Sequence, residues 1–201
     1  MEISISVEPY LNGDTKILRQ YLDDIVALKG RVPISVHYDC FVYKPNILNL
    51  IGEYADKIAV HLHSMLPDIN SAIGEIAKYN FASVSVHSDN QHIVYVMNIE
   101  TTIYSKGIVI DLPVTDIDAH ADIIKQCKYA TVMTVMSGGS GRPFDISALN
   151  KIDKIRAINP NIKIIIDGGV NEDTVNFVKE KSVEIAVVGS YAKKCYEAGD
   201  L

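Results

Sequence analysis

The stretch Ile162-Lys-Ile-Ile-Ile-Asp-Gly-Gly169 is an apolar, β-branched run that stops abruptly on a carboxylate and two glycines. It is too short for a helix of ordinary length, and apolar residues occupy both alternating faces. Strands buried on both sides of a parallel sheet have this character. Two more runs also end on a group that can bind metal or move a proton, Ile34-Ser-Val-His-Tyr-Asp39 and Ile58-Ala-Val-His-Leu-His63. Parallel α/β folds gather their active sites at strand C-termini, so His37, Asp39, His61 and Asp167 are the first functional candidates.

Working outward, similar runs recur about every 25 residues. Strands are expected at Ile3–Val7, Ile34–Asp39, Lys57–Leu62, Ser83–His87, Gly107–Asp111, Ala130–Val135, Lys163–Asp167 and Glu184–Val188. Between them, Asp14–Lys29, Lys44–Tyr54, Pro67–Tyr79, Asp116–Lys125, Ile146–Ile158 and Asn171–Lys181 have amphipathic helical spacing. Asp14, Pro67 and Asn171 supply start signals. The segment Gln91–Tyr104 is rich in β-branched residues, but the crossover between parallel strands calls for a helix there. Eight strands alternating with helices, with no linker, predict a single (β/α)8 TIM barrel over residues 1–201 with a short C-terminal helix. An open doubly wound sheet is the runner-up.

Composition narrows the function. The chain has 201 residues, 48% of them hydrophobic, with a net charge of −6. This argues against a nucleic-acid surface, which needs a basic patch. No run approaches the roughly 18 apolar residues of a membrane span, and the N-terminus lacks the basic start of a signal peptide. Cys40, Cys127 and Cys195 are odd in number and widely spaced, as expected for reduced thiols in a cytoplasmic protein. A homodimer or higher homo-oligomer is the base-rate expectation.

Glycines mark the anion-binding end. Ser137-Gly-Gly-Ser-Gly141, Asp167-Gly-Gly169 and Val188-Gly-Ser190 follow the sixth, seventh and eighth strands. Backbone N–H groups can approach a phosphate where no Cβ intervenes, and a helix starting after Gly189-Ser190 would add its partial positive charge. Gly138, Gly139, Gly141, Gly168, Gly169, Gly189 and Ser190 are therefore the phosphate candidates. At the other end, residues i and i+2 of a strand share a face, so His37 and Asp39 point together, as do His61 and His63. Imidazole and carboxylate ligands suit zinc, iron, manganese or cobalt better than calcium. Proton relay through His–Asp pairs without metal is the alternative.

Taken in order, these segments resemble the ribulose-phosphate 3-epimerase family. Val132-Met-Thr-Val-Met-Ser-Gly-Gly-Ser-Gly-Arg-Pro-Phe144 is similar to the family's VMTV-x-PGFGGQ-x-F loop, and Asp167-Gly-Gly169 to its VDGG. Val60-His-Leu62 is similar to part of its D-V-H-L-M, and His87-Ser-Asp89 to its V-H-x-E. With a two-residue deletion before Lys44-Pro-Asn46, His37-Tyr-Asp39 falls on the family's H-x-D; ungapped, Ser35 and His37 would fall there.

The resemblance implies a metal-dependent epimerase of a phosphorylated ketose, working through an enediolate. His37, Asp39, His61 and Asp167 would be the ligands and Asp39 and Asp167 the catalytic pair. Ser6 would bond sugar hydroxyls. Where the family lines its sugar face with three methionines, Met133 remains while Phe41 and His63 take the other two places, and Ser137 and Gly139 replace the Pro and Phe of the phosphate loop. These departures keep two alternatives open, a non-catalytic sugar-phosphate-binding paralogue and a sugar-phosphate isomerase.

Overall fold

The computed structural model describes residues 1–90, 93, 97, 103–137 and 142–198. Eight parallel strands close on themselves in chain order: β1 Glu2–Ser6, β2 Ile34–Cys40, β3 Val60–Ser64, β4 Ser83–His87, β5 Ser105–Ile110, β6 Tyr129–Met133, β7 Lys163–Asp167 and β8 Ile185–Val188. Closure comes from β1 pairing with both β2 and β8, as in Ser4 opposite Ser35 on one side and Val187 on the other. The barrel is thus the expected one.

Seven helices cover the outside among the described residues: α1 Thr15–Leu28, α2 Pro45–Gly52, α3 Asn70–Ile76, α4 Ala121–Ile124, α5 Lys151–Ile158, α6 Val175–Glu180 and α7 Ser190–Ala198. The longest, α1, starts where Asp14 accepts a hydrogen bond from the Lys16 N–H at 2.8 Å, and it buries Leu18, Tyr21, Leu22 and Ile25. That spacing is one helical stripe laid on the barrel wall. Four helices are shorter than expected because their leading residues make turns instead, α5 among them, which follows a 3₁₀ turn at Ile146–Asn150. Asp68 caps the Asn70 N–H, a 3₁₀ turn at Asp118–His120 precedes α4, and Asn171 accepts from the N–H groups of Asp173 and Thr174. Most of the expected helix at Gln91–Tyr104 lies outside the described residues, although Ile93 and Met97 are helical and buried.

Alternation divides each strand between the two sides of the wall. Outward residues such as Val36, Leu62, Val84, Ile108, Val132 and Ile166 join the helices in the main core. The inner side is polarised. On β1 to β4 it carries Glu2, Ser4, Ser6, Ser35, His37, Asp39, His61, His63, Ser83, Ser85 and His87. On β6 to β8 the lower lumen is filled by Tyr129, Ile165, Ile185 and Val187, and Val109, Met133 and Val135 pack above them. The polar half is what makes a cluster of ionisable groups feasible inside the barrel. Room for it is tight: a Cβ on Gly107 would lie 2.1 Å from the Ser85 Oγ.

A candidate metal and sugar-phosphate site

At the C-terminal ends of the strands, four buried side chains from β2, β3 and β7 converge. The His63 Nδ1 lies 3.1 Å from Asp39 Oδ1 and 3.2 Å from Asp167 Oδ2. The His37 Nε2 lies 3.4 Å from each of the same two oxygens, and neither nitrogen of that fully enclosed ring has a hydrogen-bond partner. The Ser6 hydroxyl donates to the other Asp39 oxygen, Oδ2, at 3.0 Å, which fixes the plane of that carboxylate.

Buried ionisable groups in such numbers must compensate one another. Burial pushes His37 down, but the Asp39 and Asp167 carboxylates outweigh it and raise the imidazole to about 10. His63 is likewise raised by its two carboxylates against burial. Burial pushes the Asp39 carboxyl up, yet the facing imidazoles of His37 and His63 bring it well below the usual carboxylate range. Asp167 is lowered too, chiefly by His37, against burial and the repulsion of Asp39. Imidazoles and carboxylates thus favour one another's charged forms against burial.

The donor set fits a divalent cation. One ligand atom from each of His37, Asp39, His63 and Asp167 lies within 4.8 Å of the others. Tetrahedral ligands about 2.0–2.1 Å from a zinc-type ion would stand about 3.3–3.4 Å apart. The four nitrogen–oxygen separations of 3.1–3.4 Å match that edge. The His37 Nε2 faces both carboxylates without a hydrogen bond to either, as a ligand to an ion held between them would.

His61, expected among the ligands, lies apart from this group, and His63 stands in it. His61 is only the second residue of β3, so it lies two residues below His63, about 6.5 Å along the strand. There its Nδ1 is 2.8 Å from the Ser83 Oγ, its Nε2 is 3.8 Å from Glu2, and its ring packs on Tyr129. Burial lowers its basicity. The expected β3 ended at Leu62, whereas the strand runs to Ser64 and delivers His63 to the mouth. Alternation pairs the two histidines on one face but does not tell which level the carboxylates reach. Register does: Asp39 stands opposite His63, and His37 opposite His61.

A pocket of about 460 Å³ opens above the cluster. Asp39 and Asp167 line it, but none of the imidazoles does. Ser6, Met65, Met133 and Phe41 surround the carboxylates, and Gly168, Gly169, Gly189 and Ser190 form the wall beyond Asp167. Arg142 and Lys194 add positive charge to the lining, while Glu172 and Asp173 add negative charge. Met65 was not foreseen, because it follows the strand rather than occupying it. Gly138, Gly139 and Gly141 lie outside the described residues.

The turn after β7 owes its shape to glycine. Gly168 has φ +111° and Gly169 φ +66°, and a Cβ on Gly168 would lie 2.5 Å from the Val135 Cγ2. Thr134 Oγ1 donates to the carbonyls of Asp167, at 3.1 Å, and Gly168, and Thr174 Oγ1 donates to that of Gly169 at 2.9 Å. In a trans peptide the N–H points opposite to the carbonyl, so tying the carbonyls back turns the following N–H groups away from these threonines. Gly168→Ala is expected to destabilise the fold by about 1–3 kcal/mol through backbone strain alone. Urea unfolding of Gly168→Ala beside Gly168→Ala/Val135→Ala separates the strain from the side-chain collision, since only the latter is relieved in the double variant.

Comparison with known proteins gives the family. Residues 36–192 match the model of the Ribulose-phosphate 3 epimerase family. A ribulose-phosphate 3-epimerase from Aquifex aeolicus is 28% identical over 177 residues, covering 82% of this chain and 79% of the relative. One from Mycoplasma pneumoniae is 23% identical over 199 residues, covering 94% and 88%. Among solved structures, 3-hexulose-6-phosphate synthase from Salmonella typhimurium superposes with a TM-score of 0.66 at 12% identity, covering 95% of this chain and 90% of that one. A mutant tryptophan synthase alpha-subunit from Pyrococcus furiosus gives 0.68 at 13%, covering 99% and 91%. At that identity the two structures speak for the barrel alone. No helix among the described residues is long and apolar enough to cross a membrane. With its family model matched over most of its length, the chain belongs to the ribulose-phosphate 3-epimerase family.

Proposed function

We propose that this protein is a metal-dependent epimerase that inverts C3 of a phosphorylated ketose, with ribulose 5-phosphate as the first substrate to test. One observation carries the reading: of the four cluster members, only the two carboxylates face the pocket, and the imidazoles stand behind them. The two carboxylates are thereby within reach of a substrate, while the imidazoles face only the cluster. His37, Asp39, His63 and Asp167 are the residues that would hold a zinc, iron, manganese or cobalt ion. Such an ion would supply Lewis-acid stabilisation of the negative charge that develops on the substrate oxygens.

Asp39 and Asp167 come from β2 and β7, with β1 and β8 between them, and in this reading each addresses a different face of the sugar. One acts as the base that removes the C3 proton and the other as the acid that returns one from the opposite face. The Ser6 hydroxyl holds Asp39 in place. Gly168, Gly169, Gly189 and the N-terminus of α7 at Ser190 receive the phosphate, and the closed wall beneath excludes water from the reacting carbon.

NMR analysis of the product tests the reaction class. Xylulose 5-phosphate formed from ribulose 5-phosphate is the expected outcome. Formation of an aldose would overturn epimerisation in favour of isomerisation, and ligand binding without turnover would favour the non-catalytic paralogue.

A further inference from the structure

Three polar residues outside the proposed reaction join the cluster to the Arg142 side of the pocket. The His63 Nε2 lies 2.8 Å from the His87 Nε2, with the two rings stacked at 26°. The His87 Nδ1 is bonded to Asp111 Oδ2, and the Ser137 hydroxyl donates to Asp111 Oδ1. Beyond Ser137, the Arg142 Nη1 donates to the carbonyls of Met136 and Ser137 at 2.9 and 3.2 Å. Lys151 fixes the other side of this chain by donating to the Asp111 and Leu112 carbonyls, both at 2.7 Å.

We propose that Ser137, Asp111 and His87 are positioning residues that make a sugar phosphate and a divalent cation bind cooperatively, by coupling the Arg142 side of the pocket to the His63 ring. This rests on the metal-dependent reading above. His63 presents Nδ1 to the two carboxylates only if its ring plane is fixed, and His87 holds the opposite nitrogen. Partners of this kind set the orientation and affinity of a ligating imidazole. Each oxygen of Asp111 has one partner, so its carboxylate transmits the position of Ser137 to His87. Ser137 and Arg142 line the same pocket as Gly168 and Gly169. An anion drawn to Arg142 orders Ser137, and order established by one ligand no longer has to be established by the other. Because binding coupling is reciprocal, the cation must tighten the sugar phosphate by the same factor.

Co2+ titrations of the metal-free full chain, with and without glycerol 3-phosphate as a non-reacting probe, measure the coupling. In the unaltered protein the probe is expected to tighten Co2+ about 5- to 20-fold, within the usual range for coupled sites, and to shift the Co2+ visible absorption. Ser137→Ala leaves every charge in place, so it should bind Co2+ alone within about 2-fold of normal while losing most of the coupling factor and the spectral shift. Ser137→Thr keeps the hydroxyl and should restore both, and His87→Gln should lose them as Ser137→Ala does. Co2+ binding with a coupling factor unchanged in Ser137→Ala overturns this inference alone. No Co2+ binding by the unaltered protein overturns the metal-dependent reading and the coupling with it.

Discussion

Asp167→Asn lowers the expected turnover of ribulose 5-phosphate by about 10³-fold or more, and Asp39→Asn by a similar factor, at saturating metal and substrate. The amide has nearly the shape of the carboxylate but cannot accept the proton. Saturating metal is required because each substitution also removes a charged ligand from the cluster. The informative part is the asymmetry. If each carboxylate serves one face of C3, each variant retains solvent exchange with one epimer and loses it with the other, although neither interconverts them. Deuterium incorporation into unconverted ribulose 5-phosphate and xylulose 5-phosphate measures this. Equal residual exchange of both epimers in either variant would contradict a two-sided mechanism.

His63→Ala is expected to weaken Co2+ or Zn2+ binding by about 100-fold or more, whereas His61→Ala leaves it within a few-fold. Removing His63 takes away a ligand and leaves Asp39 and Asp167 without one of the two imidazoles they face. Its loss acts on the fold as well, since an uncompensated buried charge typically costs about 3–5 kcal/mol. His61 instead contacts Ser83, Glu2 and Tyr129 at the other end of the lumen. Its substitution should appear in urea unfolding and not in calorimetric metal titration. The reverse pattern, with metal lost in His61→Ala, would move the site down the barrel.

This contrast shows where the sequence was legible and where it was not. The barrel could be read because burial on both faces of a strand leaves a local trace, as in Lys163–Asp167, where the expected and observed strands coincide. The gathering of His37, Asp39 and Asp167 followed from the rule that strand C-termini meet. The sequence does not separate His61 from His63, because height within the lumen depends on register between strands, and no short segment encodes register. The motif resemblance pointed to His61 with equal force. His87 and Asp111 were not foreseen as neighbours of the cluster, since their connection passes through His63 and across β3, β4 and β5. Gly168 and Gly169 were legible, because the positive φ that requires glycine leaves it in the sequence.

The most direct test of the metal-dependent epimerase reading is proton exchange at C3 of ribulose 5-phosphate in D2O, followed by NMR on chelator-treated protein before and after metal is restored. The expected result is no deuterium at C3 without metal, then deuterium incorporation together with xylulose 5-phosphate after Zn2+, Fe2+, Mn2+ or Co2+ is added. Equally fast incorporation in the verified metal-free protein, or none with any of these ions when the sugar phosphate demonstrably binds, would contradict it.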